Sequence, residues 1–356
     1  MVEAHAAAGL GAPRFVAVPR GDGFGALLPF RSATIGLRRV PAAWTGPFVP
    51  NGTPLLGAQD IEANAAALLA AMAAIGPLWR LPFLALDSAP AQALLGAAAR
   101  RGLSTAVLAS FERAVLDREA DFDAWESRYL SANRRKDLRR RRRRLGELGA
   151  LEHRTATGET LPAAIDAFLD LEASGWKGRR GTALASRPGT AALARALFRG
   201  GGGVAGRADL LVLDGRPVAA SLALVCRGTA HLLKTSYDED LARFAPGLLL
   251  EHDIVRACHD GFAQRLDSVA LAGCVLEGLY PGRERIGDLL IATDPGIGPA
   301  ALARLAAKER TRQALRARVG ALYWRAVEAV ADFRAQASLR RCQPTTASGR
   351  ESVEPK

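Results

Sequence analysis

Apolar and polar positions along this chain repeat with two periods, and the changes of period mark the elements. The start of the chain reads as irregular. From Asp60, a candidate cap, the residues Leu68, Leu69, Met72 and Ile75 recur at helical spacing until Gly76-Pro77 stops them. Trp79 to Leu86 is a short apolar strand, Ala89 to Arg101 a second helix before Gly102, and Ser104 to Ala109 and Arg113 to Leu116 two further strands. Asp123 to Leu148 is helical, with a sparse apolar line of Trp125, Leu130, Leu138, Leu145 and Leu148 and a stop at Gly149. The first part is therefore an α/β alternation that ends in one long polar helix.

The second half repeats the alternation more clearly. A helix near Thr160-Leu161-Pro162 carries Ile165, Phe168, Leu169 and Glu172 to Ser174-Gly175; Arg179 to Gly189 reads as a loop, and Ala191 to Phe198 as a helix. Asp209 to Leu213 turns at Asp214-Gly215-Arg216 into Val218 to Cys226, which makes a hairpin. Ala230 to Tyr237 is the next strand. A polar loop leads to Pro246-Gly247, an amphipathic helix from Leu248 to His259, and a strand from Leu266 to Ala270. Helical residues beyond Pro299 and a polar tail from about Gln343 complete the chain.

At 356 residues, 49% hydrophobic and 24% charged, the chain is long enough for two folded units. Its longest apolar run, Ala65 to Ile75, is too short to span a membrane, and Met1 to Arg20 lacks the basic start and apolar core of a secretory signal. The expected compartment is the cytoplasm. Cys226, Cys258, Cys274 and Cys342 form no C-x-x-C pair, and His252 and His259 share a helix face without a third ligand, so no metal is expected. No His-Glu-x-x-His or Gly-x-Ser-x-Gly motif directs the reading to a metalloprotease or an α/β-hydrolase.

The net charge of +12 changes the picture only where it is localised. Five of the 48 basic residues are lysine, and the densest run is Arg134 to Arg144. That run reads as a solvated helix between domains, as a patch for an anionic substrate or membrane surface, or as a nucleic-acid binder; no interleaved aromatics favour the last.

The order hairpin, strand, polar loop, Pro-Gly, helix, strand suits an acyl-coenzyme A site, because a helix N-terminus offers unpaired N–H groups and a positive dipole end to a pyrophosphate. Any βαβ crossover also has such a terminus. Wording adds to pattern: Leu171 to Leu184, Leu213 to Ala219, Lys234 to Asp240, Ala245 to Leu249 and Leu266 to Ala270 resemble the CelD-like acetyltransferases. These are bacterial GNAT-superfamily proteins similar in plan to the Fem aminoacyl transferases. The resemblance covers residues 110–295; before it, Pro50-Asn-Gly-Thr-Pro-Leu55 is the most similar piece. The chain departs from the family at Ala245, often serine, and at Val269, often cysteine.

The resemblance implies an α/β fold of two fused GNAT-like units, each a mixed sheet flanked by helices. The expected boundaries are a degenerate GNAT-like half over 1–120, a basic connecting helix over 121–150, an acyltransferase half over 151–298, a helical extension over 299–342 and a disordered tail over 343–356. It implies acetyl-CoA or another acyl-CoA as donor, no metal, and an amine or hydroxyl acceptor that is a small molecule or a glycan or peptide precursor of the cell envelope or of polysaccharide metabolism. No specific nucleic acid is expected, and peripheral contact with an anionic membrane is. The competing class is a non-catalytic GNAT-fold binding protein that uses the arginine helix on nucleic acid or anionic lipid.

Within this frame Ala245, Pro246, Gly247, Leu248 and Leu249 are the candidate cofactor residues. Asp267, Tyr237, Asp238, Glu239 and Lys234 are candidates for moving a proton from the acceptor or to the leaving thiolate, since carboxylates, a phenol and an amine can all do so. Trp176 and Lys177 are candidates for the acceptor pocket. Each has a structural alternative: an aspartate at a strand end caps a turn, a tryptophan at a helix end packs in a core, and a lysine points to solvent.

Overall fold

The computed structural model describes residues 12–46, 48–316 and 318. The polypeptide builds a single twelve-stranded mixed sheet with helices on both faces. In chain order the strands are β1 (Arg14–Arg20), β2 (Gly23–Ile35), β3 (Arg38–Ala43), β4 (Leu55–Leu56), β5 (Leu78–Ala85), β6 (Thr105–Asp117), β7 (Leu151–Ala156), β8 (Val204–Leu213), β9 (Arg216–Cys226), β10 (Thr229–Tyr237), β11 (Arg265–Asp267) and β12 (Gly282–Ala292). Their order across the sheet is β1-β2-β3-β5-β12-β6-β11-β10-β9-β8-β7, with β4 paired to β2.

Two strands fuse the halves. β12, late in sequence, lies between β5 and β6 of the first half and pairs antiparallel with both. β6 then continues past β12, so that Val115 to Asp117 face Asp267 to Arg265 of β11. Residues 282–292, expected in the second half, complete the first half's sheet.

The helices are α1 (Ile61–Ile75), α2 (Ala89–Arg100), α3 (Phe122–Tyr129), α4 (Ala132–Gly146), α5 (Leu161–Ser174), the single turn α6 (Trp176–Arg179), α7 (Pro188–Phe198), α8 (Pro246–Ala257) and α9 (299–316). Helices α1 and α2 cover the first half, burying Leu68, Leu69, Met72 and Leu94 against Trp79 and Leu81. In the second half β8 and β9 are buried on both faces. Leu210, Val212, Ala220 and Leu222 face the core of α5 and α7, while Leu211, Val218 and Ala219 face that of α3, α4 and α8. Two-sided burial turns these strands into continuous apolar runs.

The segment expected as one helix, 123–148, is two. Asp121 Oδ1 accepts from the N–H groups of Asp123 and Ala124, Ser131 Oγ accepts from that of Arg134, and the buried Leu130 separates the two caps. Helix α4 is anchored by Leu138 and Leu145, seven residues apart and so on one face. Asp60 is the N-cap residue of α1, at φ 52°, but its side chain makes no capping hydrogen bond and pairs with Arg20 instead. The loop expected over 179–189 holds the end of α6, a 3-10 turn and the start of α7. Of the C-terminal extension, 299–316 is helical; its remainder, expected to 342, and the tail 343–356 lie outside the described residues, residue 318 apart. Among the described residues no helix is long and apolar enough to cross a membrane.

Candidate active site

Strands β10 and β11 run parallel for three residue pairs, from Thr229 with Arg265 to His231 with Asp267, and then part. β10 continues to Tyr237, whereas the other chain turns away through Val269 at φ 53°, a conformation costly for a β-branched residue. Its N–H is held by Asp267 Oδ1 at 2.8 Å. The wedge so opened contains a cavity of about 530 Å³, with Leu232 to Thr235 on one wall and Ser268 to Ala270 on the other. Helix α8 begins at its edge. Ala245, at φ 52° and ψ 55°, turns the chain into it, and Pro246 takes the first helical position, where no N–H is needed.

Of the five residues expected at the cofactor loop, Ala245, Gly247 and Leu248 line the cavity, while Pro246 and Leu249 are buried beside them. The N–H groups of Leu248 and Leu249 both reach the Ala245 carbonyl, at 3.0 and 3.1 Å, so Gly247 carries the donor that this first turn does not itself use. A Cβ on Gly247 would sit 3.4 Å from the Tyr237 ring, in ordinary contact. Ala245 and Val269 both line the cavity, and both are in left-handed conformations.

The candidate proton carriers separate. Lys234 lies on the cavity wall next to a register shift that bulges β10 against β9. Burial, and then the charge of Lys177, push its pKa down, against the pull of Glu172. Its Nζ is 5.1 Å from the Phe48 ring, contributed by the first half. Tyr237 is at the mouth, 41% exposed.

Asp238, Glu239 and Asp267 are not among the lining residues. Asp238 caps the following turn through the Asp240 N–H at 3.0 Å and pairs with Arg216. Glu239 accepts from the Trp176 N–H and pairs with Arg179; the Arg179 bond most of all holds its pKa down. Asp267 is buried, with His231 Nδ1 at 3.1 Å, Arg113 Nη1 at 3.5 Å and the Val269 N–H as partners. Burial raises its pKa, but the His231 bond, the Arg113 charge and the Val269 N–H together bring it below the ordinary carboxylate value. Such a carboxylate is a poor base near neutrality, and its geometry is that of a joint: it fixes the turn where β11 leaves β10.

Trp176 and Lys177 flank a narrow cleft beside the cavity, which shares Thr235 and Tyr237 with it. Trp176 is 46% exposed, and Lys177 Nζ bonds Glu172 Oε1 at 2.7 Å.

The sequence reading passed over Glu251. It lines the cavity one turn below Gly247, accepts from Thr235 Oγ1 at 3.0 Å and from Ser221 Oγ at 3.4 Å, and leaves Oε2 buried without a hydrogen-bond partner among the described residues. Burial pushes its pKa up to about 7, against the lowering bonds from Thr235 and Ser221. The signal was present: Glu251 is the one acid among Leu248, Leu249, Leu250, Ile254 and Val255, on the apolar face of a helix.

The two helix histidines each have a protein partner. His252 Nε2 lies 2.8 Å from Glu126 Oε1, and His259 Nδ1 lies 2.8 Å from the Val255 carbonyl. Among the described residues no three His, Cys, Asp or Glu side chains gather as a metal site.

No curated protein matches the chain. Among solved structures, the C-terminal domain of a putative lysylphosphatidylglycerol synthetase from Agrobacterium fabrum is similar over 82% of this chain and 87% of its own, with a TM-score of 0.52 at 14% identity. FemX is similar over 79% and 87%, with a TM-score of 0.50 at 10% identity. At these identities the likeness carries the fold. Residues 132–273, from α4 to just beyond β11, match the family described as acetyltransferase (GNAT) domain, and this stretch includes the cavity's lining residues other than Cys274, Val275 and Leu276.

Proposed function

We propose that the protein is an acyltransferase that takes its acyl group from coenzyme A in the wedge between β10 and β11 and passes it to an amine or hydroxyl. The observation that carries this reading is the join of three features at one place: an apolar cavity between parting strands, a helix N-terminus at its edge, and a glycine there in place of a side chain. A long thin ligand with an extended, amide-bearing arm and a pyrophosphate fits such a place, the arm between the strands and the phosphates at the positive end of α8. The GNAT match over the same residues supports it. When bound, an acyl-CoA supplies a thioester carbonyl open to attack.

The residues of the chain then have separable tasks. Gly247 lets the backbone come close to phosphate. Leu232 and Leu248 line the cavity with apolar surface, and Lys234 holds a partly desolvated ammonium on its wall. Glu251, whose carboxyl changes charge near neutrality, takes the proton that an attacking amine must lose, directly or through one water. Asp267 positions the wall and carries no proton. The acceptor enters past Phe48, Lys177 and Trp176, where the two halves meet, and we propose a cell-envelope or polysaccharide precursor amine as its class. Release of free coenzyme A thiol from acetyl-CoA, in the presence of amine-bearing precursors, tests the reading; no release with any of them, and no binding of acetyl-CoA, would refute it.

A further inference from the structure

The arginine helix has a use that neither the catalytic reading nor a solvated linker explains. Helix α4 is fastened to the start of α8 by its own arginines: Arg142 bonds the Leu249 carbonyl at 3.4 Å and pairs with Asp253, and Arg141 bonds the Arg243 carbonyl at 3.0 Å. Between α4 and the loop 239–245 this leaves a groove of about 400 Å³, lined by Arg140, Arg141, Arg144, Arg243 and Phe244, with Glu147 the only acid among its lining residues. Arg140 and Arg141 share Asp137, and Glu147 faces Arg143 at 3.7 Å. Arg144 and Arg243 are exposed and have no carboxylate partner among the described residues; the Arg243 guanidinium lies 4.7 Å from the Phe244 ring. Two uncommitted guanidinium groups therefore share one groove beside an aromatic ring.

The groove adjoins the cavity through consecutive residues. Arg243 and Phe244 line the groove, and Ala245 and Gly247 line the cavity. At about 3.8 Å between successive Cα atoms, Arg243 is within about 15 Å of Gly247. An apolar cavity, a helix N-terminus and a basic groove thus follow one another along a single loop. Guanidinium groups match phosphate oxygens in pairs, and a ring beside them offers a stacking face.

We infer that this groove binds the phosphorylated nucleotide end of the acyl donor, with Arg144 and Arg243 on the 3′-phosphate that lies beyond the pyrophosphate. The inference rests on the reading of the cavity as a coenzyme A site and deepens it: the arginine helix is part of the donor site, and selects coenzyme A over donors without that phosphate.

The test is a calorimetric titration of the full chain and of an Arg144→Gln/Arg243→Gln variant, each with coenzyme A and with 3′-dephospho-coenzyme A. The full chain should bind coenzyme A about tenfold or more tightly than the dephospho form, as a charge-assisted contact to one phosphate gives. The variant should lose this preference and keep its affinity for the dephospho form, which also shows that it is folded. Equal affinities in the full chain, or a preference that survives in the variant, would overturn the inference while leaving the cavity reading intact. Binding of neither compound by the full chain would overturn both. Vesicles of phosphatidylglycerol in phosphatidylcholine supply a further arm: capture that depends on Arg144 and Arg243, with no difference between the two coenzymes, would assign the groove to a membrane surface instead.

Discussion

Thr235 Oγ1 donates to Glu251 Oε1 across 3.0 Å, tying the strand on one wall of the cavity to the helix at its edge. The other oxygen of Glu251 is buried and without a partner among the described residues. A half-satisfied buried carboxyl is costly unless it stays protonated or has a task.

Glu251→Gln should therefore lower turnover by about 10²-fold or more, the usual size of a general-base effect, with little change in acyl-CoA affinity. In the wild type, kcat/KM should rise with pH through about 7 as Glu251 ionises. Steady-state rates of both proteins between pH 5 and pH 9 check this; a glutamine variant with unchanged turnover would return Glu251 to a structural role.

The same shift has a consequence for stability of opposite sign. The Glu251 pKa is raised on folding, to about 7 from 4.5. Its contribution is then fully present below the unfolded value and is lost as pH rises through the folded one. Urea unfolding at pH 5 and pH 8 should show the wild type losing stability relative to Glu251→Gln across this window.

Asp267 should behave otherwise. Its pKa is lowered on folding, so its contribution is present above the unfolded carboxylate value and is lost as pH falls through the folded one. Asp267→Asn removes one member of a buried pair with Arg113, a change that costs about 3–5 kcal/mol in comparable sites. Denaturant unfolding should show a loss of this order, and the pH–rate profile of the variant at permissive temperature should keep its wild-type midpoint.

Glu172 joins three segments near the acceptor side, with Oε1 on Lys177 and Oε2 accepting from the Leu184 N–H at 2.8 Å. Glu172→Leu leaves that N–H without its acceptor. Hydrogen exchange at Leu184 should speed by tenfold or more, in keeping with a lost charge-assisted bond. Unchanged exchange would mean that the loop is held by other means.

Much of this was readable before the fold. The hairpin of β8 and β9, the strand β10 and the Pro-Gly helix start follow local rules: alternation, an Asp-Gly turn, proline at the first helical position. Strands β1 to β4, β7 and β12 were not read. β1 to β3 carry many exposed, arginine-rich positions that blur alternation, and β12 reveals itself only by its partners, β5 and β6, some 200 residues earlier in the chain. The site divided in the same way. Gly247 and Lys234 belong to local motifs, and both line the cavity. The engagement of Asp267 was not legible, because its partners Arg113 and His231 come from other strands and no local pattern shows that a carboxylate is already paired. Glu251 could have been found from its anomalous position on an apolar helix face.

The central claim, that an acyl-CoA rests in the wedge with its pyrophosphate on the first turn of α8, is tested most directly by titrating acetyl-CoA into the wild type, Gly247→Ala and Gly247→Val in a calorimeter. A Cβ fits beside Tyr237, so the alanine variant should fold and bind with modest loss. The branched side chain should cost only about 0.5–1 kcal/mol of helix propensity, yet stand between backbone and phosphate. The account predicts saturable binding by the wild type and loss of at least tenfold in affinity for a folded Gly247→Val protein. Equal affinity in all three would place the donor elsewhere.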